Sequence, residues 1–423
     1  MFNRILLGSS AGESYYLSRY MDGDGAYVSY TTYTASQVVH VTSTEEVSVV
    51  AGQNDFFSGN GPFTFSQFTK DGGTVWSKQI NSSTLPQVIT RDASGNYYIA
   101  CYVGTVAFYV FKLDSTGTLL WQRSVSVPSG VANPTGIRVD STGANIFICG
   151  YRNASGSYFG FLVKMTSAGA HSFTRTASVA VRFLSLALDS SDNVYCVGYH
   201  GTSGGMTINK FTSAGATSFQ RRFYLSTGTG TVLGYGNGIA CDGTNIYVTG
   251  TFNGIQHVLE LNSSGVITWS RYANLAVAYR EAPACVGCDT SGNVYMGYGD
   301  GSTVFATFKF DGSGTLLWQR ATNQNNFGIG GENIFVRGSN LYVGCTSYEG
   351  NGFGYVNVNK VPVDGTLTNG SSYTTSSYTV GAAPATINQA TFTMTIGTTA
   401  FTVGTPTLTV SSDNMYLSKT ITL

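Results

Sequence analysis

Asp92-Ala-Ser-Gly-Asn96-Tyr-Tyr98 is the stretch from which the fold of this chain can be read. The aspartate opens a turn, glycine and asparagine tolerate a positive φ, and the aromatic residues start a new extended run. The stretch therefore predicts a tight turn between two short β-strands. Further copies contain Asp140 and Asn145, Asp189 and Asn193, Asp242 and Asn245, and Asp289 and Asn293. Later copies contain Asn340 and Asn414, and a degenerate copy runs from Ser43 to Val49. From Asn96 to Asn340 the asparagines are 47 to 52 residues apart, which indicates one repeated structural unit.

A second unit alternates with the first and is clearest at Lys112-Leu-Asp-Ser-Thr-Gly117-Thr-Leu-Leu-Trp121-Gln-Arg123. The four tryptophans of the chain share one position of this unit, and they are Trp76, Trp121, Trp269 and Trp318. A basic residue follows two positions later in most copies, as at Arg123 and Arg320, so ring and charge share one face of a strand. We interpret the tryptophans as packing residues and the basic residues as a structural clamp, with the aspartates of the first unit as matching anions.

The two units together predict an all-β fold, a β-propeller of four-stranded blades that forms a single domain over residues 1–423. The copy of the second unit from Tyr16 to Gly25 has no first unit before it, and the first unit that ends at Tyr416 has no second unit after it. Seven whole repeats between two complementary halves predict eight blades, with the ring closed by N- and C-terminal strands. The alternative is a seven-bladed ring with separate terminal strands.

One segment interrupts this period. Residues 365–412 include no Asp, Glu, Lys or Arg. Within them, residues 368–404 are rich in Ser and Thr and show an apolar alternation typical of half-buried strands. We expect residues 368–404 to be either an uncharged β insertion in the last blade or a docking arm that offers a strand edge to a partner.

Composition excludes several classes of function. Charged residues make up 10% of the chain, against about 25% in an average soluble domain, and the net charge is zero. A neutral chain argues against nucleic-acid binding, and no segment approaches the ~18 apolar residues that membrane insertion requires. The apolar stretch at the N-terminus is too short for a signal peptide, and the seven cysteines, an odd number, suit reduced, buried thiols. Cys285 and Cys288 are interpreted as small residues of a strand rather than as metal ligands.

No catalytic, cofactor-binding or metal-binding constellation is evident from the sequence. The four histidines fall in different repeats, and no nucleophile elbow or phosphate-binding loop occurs. The Asp-x-x-Gly-Asn turns lack the five or six oxygen donors of a calcium loop. These observations predict a protein that is not an enzyme and has no cofactor.

The best candidates for ligand contact are aromatic and polar residues that follow the first unit, on one rim of the ring. Tyrosine beside such residues suits sugar or protein contact at low entropic cost, although a repeated tyrosine also serves to cap each blade. The candidate residues are Tyr151, Tyr199, His200, Tyr298, Asp300, Tyr348 and Glu349.

The alternation of these two units resembles the bacterial beta-propeller repeat family over nearly the whole chain. A chain rich in Gly, Ser, Thr and Tyr is also similar to tail or fibre proteins of tailed bacteriophages. This resemblance implies a non-enzymatic virion structural protein, made in the host cytoplasm, that acts in assembly and host attachment. Its expected partners are other virion proteins and a host surface glycan or protein.

Two alternatives remain open at this point. The stretch from Lys112 to Trp121 resembles the repeat of eight-bladed quinoprotein dehydrogenases, although the adjacent cysteine pair of that family is missing here. A quinone-dependent propeller dehydrogenase is therefore one alternative, and a carbohydrate-binding propeller module is the other.

Overall fold

The computed structural model describes most of the chain between residues 38 and 366, together with short strands towards both ends. The described residues are 5–6, 14–17, 38–52, 63–70, 74–81, 84–127, 129–201, 205–227, 230–232, 234–252, 254–273, 284–299, 304–323, 327–348, 354–366, 373–375, 380–382, 387–391, 396–397, 402–404 and 409–412. All regular structure within these residues is β-strand. The prediction of an all-β fold is therefore confirmed.

The strands form a series of antiparallel groups of four, which we call arrays, and a short parallel pairing of Phe159 with Val181 joins the third array to the fourth in one sheet. Two short strands precede the series, β1 (Ile5–Leu6) and β2 (Ser14–Leu17). The first array contains β3 (Val39–Val41), β4 (Val47–Gly52), β5 (Phe63–Phe68) and β6 (Thr74–Asn81). The second contains β7 (Leu85–Arg91), β8 (Tyr97–Tyr102), β9 (Ala107–Leu113) and β10 (Leu119–Ser126). The third contains β11 (Val131–Val139), β12 (Asn145–Ala154), β13 (Ser157–Thr166) and β14 (His171–Ala177).

The later arrays repeat this order. The fourth contains β15 (Val181–Leu188), β16 (Val194–His200), β17 (Met206–Phe211) and β18 (Thr217–Thr227), and β18 also pairs with β19 (Gly230–Val232). The fifth contains β20 (Gly234–Cys241), β21 (Ile246–Phe252), β22 (Ile255–Leu261) and β23 (Ile267–Ala273). The sixth contains β24 (Ala284–Cys288), β25 (Val294–Gly299), β26 (Val304–Phe310) and β27 (Leu316–Asn323). The seventh takes β28 (Phe327–Arg337), β29 (Asn340–Tyr348) and β30 (Gly354–Pro362) from this part of the chain.

Burial follows the position of a strand within its array. The second strands are apolar almost throughout, and every residue of β21 is buried. Strands buried on both faces require such continuous apolar runs. The residues of the fourth strands are mostly only partly buried, as those of β10 and β23 are. The first three strands of an array therefore make the core, and the fourth lies towards the rim.

Neighbouring arrays pack face to face. One cluster joins Tyr98 and Val110 of the second array to Ile146 and Val163 of the third. The first strands of successive arrays contact one another, and β28 of the seventh array contacts β3 of the first. The core is thus a series of apolar layers between sheets.

The seventh array takes its fourth strand from the other end of the chain. Strand β2 pairs antiparallel with β30, and β1 pairs with β2. The sequence predicted an eighth blade in which the two chain ends pair with each other. Here β2 joins the seventh array and residues 409–412 join the first, while Asn414 and Tyr416 lie outside the described residues. Among the described residues no strand that follows β30 pairs with it, so its outer edge accepts β2.

Six further strands lie after the seventh array, and we call residues 373–412 the belt. They are β31 (Tyr373–Thr375), β32 (Val380–Ala382), β33 (Ile387–Thr391), β34 (Ile396–Gly397), β35 (Thr402–Gly404) and β36 (Thr409–Ser412). Each adds antiparallel to the fourth strand of a different array, in reverse chain order, from β27 through β23, β18, β14 and β10 to β6.

The belt changes the interpretation of residues 368–404. Its strands pair with the fourth strands of six different arrays instead of joining the last one, and five of the six belt strands lie before residue 405. Successive belt strands start six to nine residues apart, and six extended residues span about 20 Å, enough to pass from one rim strand to the next. The belt therefore covers outer edges whose unpaired N–H and C=O groups would otherwise face outwards.

Candidate functional site

The carboxylates of the repeated aspartates accept hydrogen bonds within their own turns. Asp289 Oδ1 accepts the backbone N–H of Asn293 (2.9 Å), while Oδ2 accepts Asn293 Nδ2 (2.8 Å) and the Tyr295 hydroxyl (3.0 Å). Burial opposes ionisation of Asp289, but these hydrogen bonds together hold its pKa below the ordinary value. The hydroxyls of Tyr98, Tyr195 and Tyr247 bond their own turn aspartates in the same way. In these four arrays the network links the first strand to the second.

The tryptophan and its basic companions bind the next array. Trp121 Nε1 and Lys112 Nζ both donate to the carbonyl oxygen of Ser167 (3.1 Å each), and Arg123 Nε donates to that of Gly169 (3.2 Å). The Arg123 guanidinium also lies over the Trp121 ring, 5.3 Å from its centroid. The other three tryptophans donate to the next array in the same way, Trp76 to Ser115, Trp269 to Gly312 and Trp318 to Val363, and Arg320 Nε donates to Gly365.

These contacts correct the expected partner of the basic residues. Arg123 and Arg320 donate to neutral backbone carbonyls of the following array rather than to the repeated aspartates. The aspartates are unsuited to this role because their two oxygens already accept bonds within the turn. The regular charge pattern of the sequence is thus used for attachment between arrays.

The seventh and first arrays meet through a carboxylate supplied by the first. The seventh array has no aspartate in its turn, and Glu45 Oε2 instead accepts Asn340 Nδ2 (2.8 Å) and the Tyr342 hydroxyl (2.6 Å). Lys360 Nζ lies 3.6 Å from the same oxygen. Although burial opposes ionisation, the bonds from Tyr342 and Asn340 and the charge of Lys360 hold the pKa of Glu45 below its ordinary value. Glu45 therefore performs between arrays the role that aspartate performs within the others.

At the opposite ends of the strands, aromatic side chains and an arginine form a cluster. The Arg182 guanidinium carbon lies 3.5 Å from the ring centroid of Tyr158, 5.3 Å from that of Tyr151 and 5.2 Å from that of Tyr199. The Tyr199 ring in turn lies 4.8 Å from that of Tyr235. We call these five residues the tyrosine–arginine cluster. It combines one cation with four flat rings contributed by the third, fourth and fifth arrays.

The cluster is held in place yet remains accessible. Tyr151 is buried and its hydroxyl accepts Asn133 Nδ2 (2.9 Å), whereas Tyr158, Arg182, Tyr199 and Tyr235 are partly exposed. The Nε atom of Arg182 is buried and has no hydrogen-bond partner among the described residues. A guanidinium stacked on aromatic rings keeps its donor edge directed away from the ring planes. The arrangement suits binding of an anionic group beside an apolar ring.

Of the ligand-contact residues predicted from the sequence, the structure places two in the tyrosine–arginine cluster and buries two others. Tyr151 and Tyr199 are brought together by Arg182. His200 is buried, and burial together with the charge of Arg222 lowers its pKa. Tyr298 is fully buried and stacks on Phe308 at 5.7 Å, so it is a core residue and not a ligand contact. Asp300, Glu349 and the side chain of Tyr348 lie outside the described residues.

Three members of the cluster were not found from the sequence. Tyr158, Arg182 and Tyr235 lie near the starts of β13, β15 and β20, where the two repeated units have no defined position. One signal was present, because Arg182 is a cation at the start of the otherwise apolar run Val181-Arg182-Phe183-Leu184.

The part of the chain that the structure describes also contains histidines, cysteines and acidic side chains outside the cluster. No group of three or more His, Cys, Asp or Glu side chains is placed to hold a metal ion there. The six cysteines with described side chains are free, and Cys285 and Cys288 both lie in β24. No helix long and apolar enough to cross a membrane is found in those residues.

Comparisons with known proteins give structural similarity at low sequence identity. No family model matches the chain, and no curated protein does. Sqt1 from Chaetomium thermophilum is 10% identical, with 80% of this chain and 98% of that chain covered and a TM-score of 0.44. The dihydro-heme d1 dehydrogenase NirN is 11% identical, with 74% of this chain and 62% of that chain covered and a TM-score of 0.43. A subtype N10 neuraminidase-like protein of A/little yellow-shouldered bat/Guatemala/060/2010 is 9% identical, with 64% of this chain and 92% of that chain covered and a TM-score of 0.40. With TM-scores below 0.5, none of these similarities carries a conclusion about this chain.

Proposed function

We propose that the chain is a seven-bladed β-propeller that serves as a non-enzymatic structural and recognition protein of a tailed-bacteriophage particle. In this proposal the seven arrays are the blades, and the ring closes between the seventh and the first. The contact of β28 with β3 supports closure, and so do the bonds from Asn340 and Tyr342 to Glu45. The pairing of β2 with β30 supports seven blades rather than eight, because it completes the last four-stranded array.

The observation that carries the recognition role is the tyrosine–arginine cluster. Tyrosine rings offer flat apolar faces at low entropic cost, and the C–H faces of sugar rings pack well on such surfaces. A guanidinium binds carboxylate through two parallel hydrogen bonds. An acidic glycan presents both groups within one sugar unit, so we take an acidic glycan of the host surface as the ligand.

The structural role is supported by the belt. Six outer edges receive an added strand from residues 373–412, and the seventh receives β2 and β1. Covered edges hinder uncontrolled association through strands, which a component packed at high density in a particle has to avoid. The particle itself is inferred from the composition and repeat resemblance of the sequence. Mass spectrometry of purified particles tests it, and a particle preparation without this chain would contradict it.

Glycan binding is tested by an array of neutral and acidic glycans probed with the full-length protein, followed by calorimetry with the best glycan. We expect acidic glycans to be selected and Arg182→Gln to weaken binding at least tenfold, the loss of about 1.4 kcal/mol expected for a charge-assisted pair. Arg222→Gln is the matched control, since Arg222 also lies over a tyrosine ring, Tyr224 at 5.0 Å, but outside the cluster. Failure to select any acidic glycan, or equal weakening by both variants, would show that the cluster has no such role.

A further inference from the structure

A second polar site lies away from the tyrosine–arginine cluster, where the first strands of five arrays converge. They enclose a cavity of about 260 Å³ lined by residues of β11, β15, β20, β24 and β28. A water molecule occupies about 30 Å³ of liquid, so this space is large enough for an anion the size of phosphate and several waters.

The charge in the cavity has a single sign. Arg138 from β11 and Arg337 from β28 line it, and none of the described lining residues is an aspartate or a glutamate. The remaining lining is small, apolar or neutral polar, including Ser185 and Asn333. Two cations facing a carboxylate-free space of this size create a favourable place for an anion.

The hydrogen bonds of Arg337 position its guanidinium but leave its positive charge uncompensated, because they are made to uncharged acceptors. Its Nε atom donates to the carbonyl oxygens of Val41 (3.0 Å) and Thr42 (3.1 Å), and one terminal nitrogen donates to that of Val336 (2.9 Å). These acceptors are neutral, and the side chain also lies over the Phe335 ring at 5.4 Å. Arg138 is oriented similarly, since one of its terminal nitrogens donates to the carbonyl of Ile137 (2.7 Å).

A histidine near the cavity lies within the positive potential of the same arginines. His40 of β3 packs edge-on against Phe335, with ring centroids 5.5 Å apart, and Phe335 lines the cavity. Burial, followed by the charges of Arg337, Arg138 and Arg91, lowers the pKa of His40 to about 3. Burial also lowers the pKa values of Arg138 and Arg337, because their charged forms have lost solvent.

We propose that the central cavity is a binding site for a small tetrahedral oxyanion of the phosphate or sulfate class, held by Arg138 and Arg337. The guanidinium groups supply directed donors to two oxygens of the anion, and the surrounding first strands supply inner-edge backbone N–H groups. Bound there, the anion ties β11 to β28 across the cavity. The site is separate from glycan recognition and stands or falls independently of it.

The test is titration of inorganic phosphate, and separately of sulfate, into the full-length protein by calorimetry at constant ionic strength set with chloride. We expect saturable binding, a higher unfolding temperature in the presence of the anion, and at least tenfold weaker binding for Arg138→Gln. Arg138→Lys keeps the charge without the paired donors and is expected to bind with intermediate affinity. Arg152→Gln, outside the cavity, is expected to bind as the unmodified protein does. Absence of saturable binding by both anions, or unchanged affinity in Arg138→Gln, would overturn the proposal.

A measurement on the unmodified protein keeps the proposal testable if the Arg138 variants fail to fold. The charge of a bound dianion offsets that of the arginines, so saturating phosphate is expected to raise the pKa of His40 from about 3, as followed by nuclear magnetic resonance of its ring. An unchanged His40 titration at saturating phosphate would place the anion elsewhere and overturn the assignment.

Discussion

Two glycines of the sixth array permit a direct test of how adjacent arrays fit together. Gly292 and Gly314 both have a φ of +78°, in the left-handed region that favours glycine. A Cβ atom added at Gly292 meets nothing within 4 Å, whereas one added at Gly314 comes within 2.7 Å of the Trp269 ring of the fifth array. Alanine at either position therefore imposes the same backbone cost, and only at Gly314 does it also displace the preceding array.

The expected magnitudes follow from these distances. An L-residue in the left-handed region costs about 1–2 kcal/mol, partly offset by about 0.4–1 kcal/mol from a less flexible unfolded chain. We therefore expect Gly292→Ala to lose about 1 kcal/mol of unfolding free energy. Gly314→Ala adds about 1–3 kcal/mol for the overpacked contact. It also strains the bonds of Trp269 Nε1 to Glu260 (2.8 Å) and Gly312 (3.1 Å), so its total loss is about 3 kcal/mol.

Urea unfolding of the two variants and the unmodified protein, followed by tryptophan fluorescence, measures the difference. Comparison of midpoints at equal slope isolates the change in stability. Equal losses in the two variants would mean that backbone conformation alone requires glycine at position 314. The packing of one array's tryptophan against the next array's turn would then not explain the repeat.

Three further predictions address the belt, the junction of the first and seventh arrays, and the behaviour in acid. Deletion of residues 368–423 uncovers six strand edges, so light scattering after size exclusion is expected to show aggregation, and a monodisperse variant would argue against an edge-covering role. Glu45→Gln is expected to lower the urea midpoint at pH 7 and to reduce the loss of stability in acid. The lowered pKa of Glu45 stabilises the folded protein at pH values above the ordinary pKa of a glutamate, and this stabilisation is lost as the pH falls through the lowered pKa. The depressed pKa of His40, about 3, means that the unfolded chain binds its proton first, so stability falls as pH drops from about 6.5 towards 3. His40→Phe is expected to flatten part of that fall in melting curves at successive pH values, and an unchanged pH profile would contradict a neutral His40 in the folded protein.

Local residues were sufficient to predict the repeated elements. The aspartate, glycine and asparagine of the stretch beginning at Asp92 specify a turn through hydrogen bonds within five residues, and the structure has those bonds. The assignment of Cys285 and Cys288 to a strand also holds, because a short apolar run between turns leaves little alternative. Such features depend on neighbours in the chain, which the sequence displays directly.

The candidate site was predictable only in part. Tyr151 and Tyr199 were found because they follow the repeated unit at a constant position. Tyr298 follows its asparagine, Asn293, by five residues instead of six, and it is buried against Phe308. Arg182, the residue that joins the tyrosines, lies on a different strand, and its distance from them depends on how the third and fourth arrays pack.

The repeated turns could be read from the sequence alone, since they follow from bonding between residues close along the chain. The edges that the two chain ends join depend on the packing of the whole chain. Unpaired strand edges are chemically alike, so composition does not distinguish the edge of β30 from that of β6 or β27. The same holds for charge. Arg123 reaches a neighbouring carbonyl, while Arg138 and Arg337 meet at one cavity although 199 positions separate them in the chain.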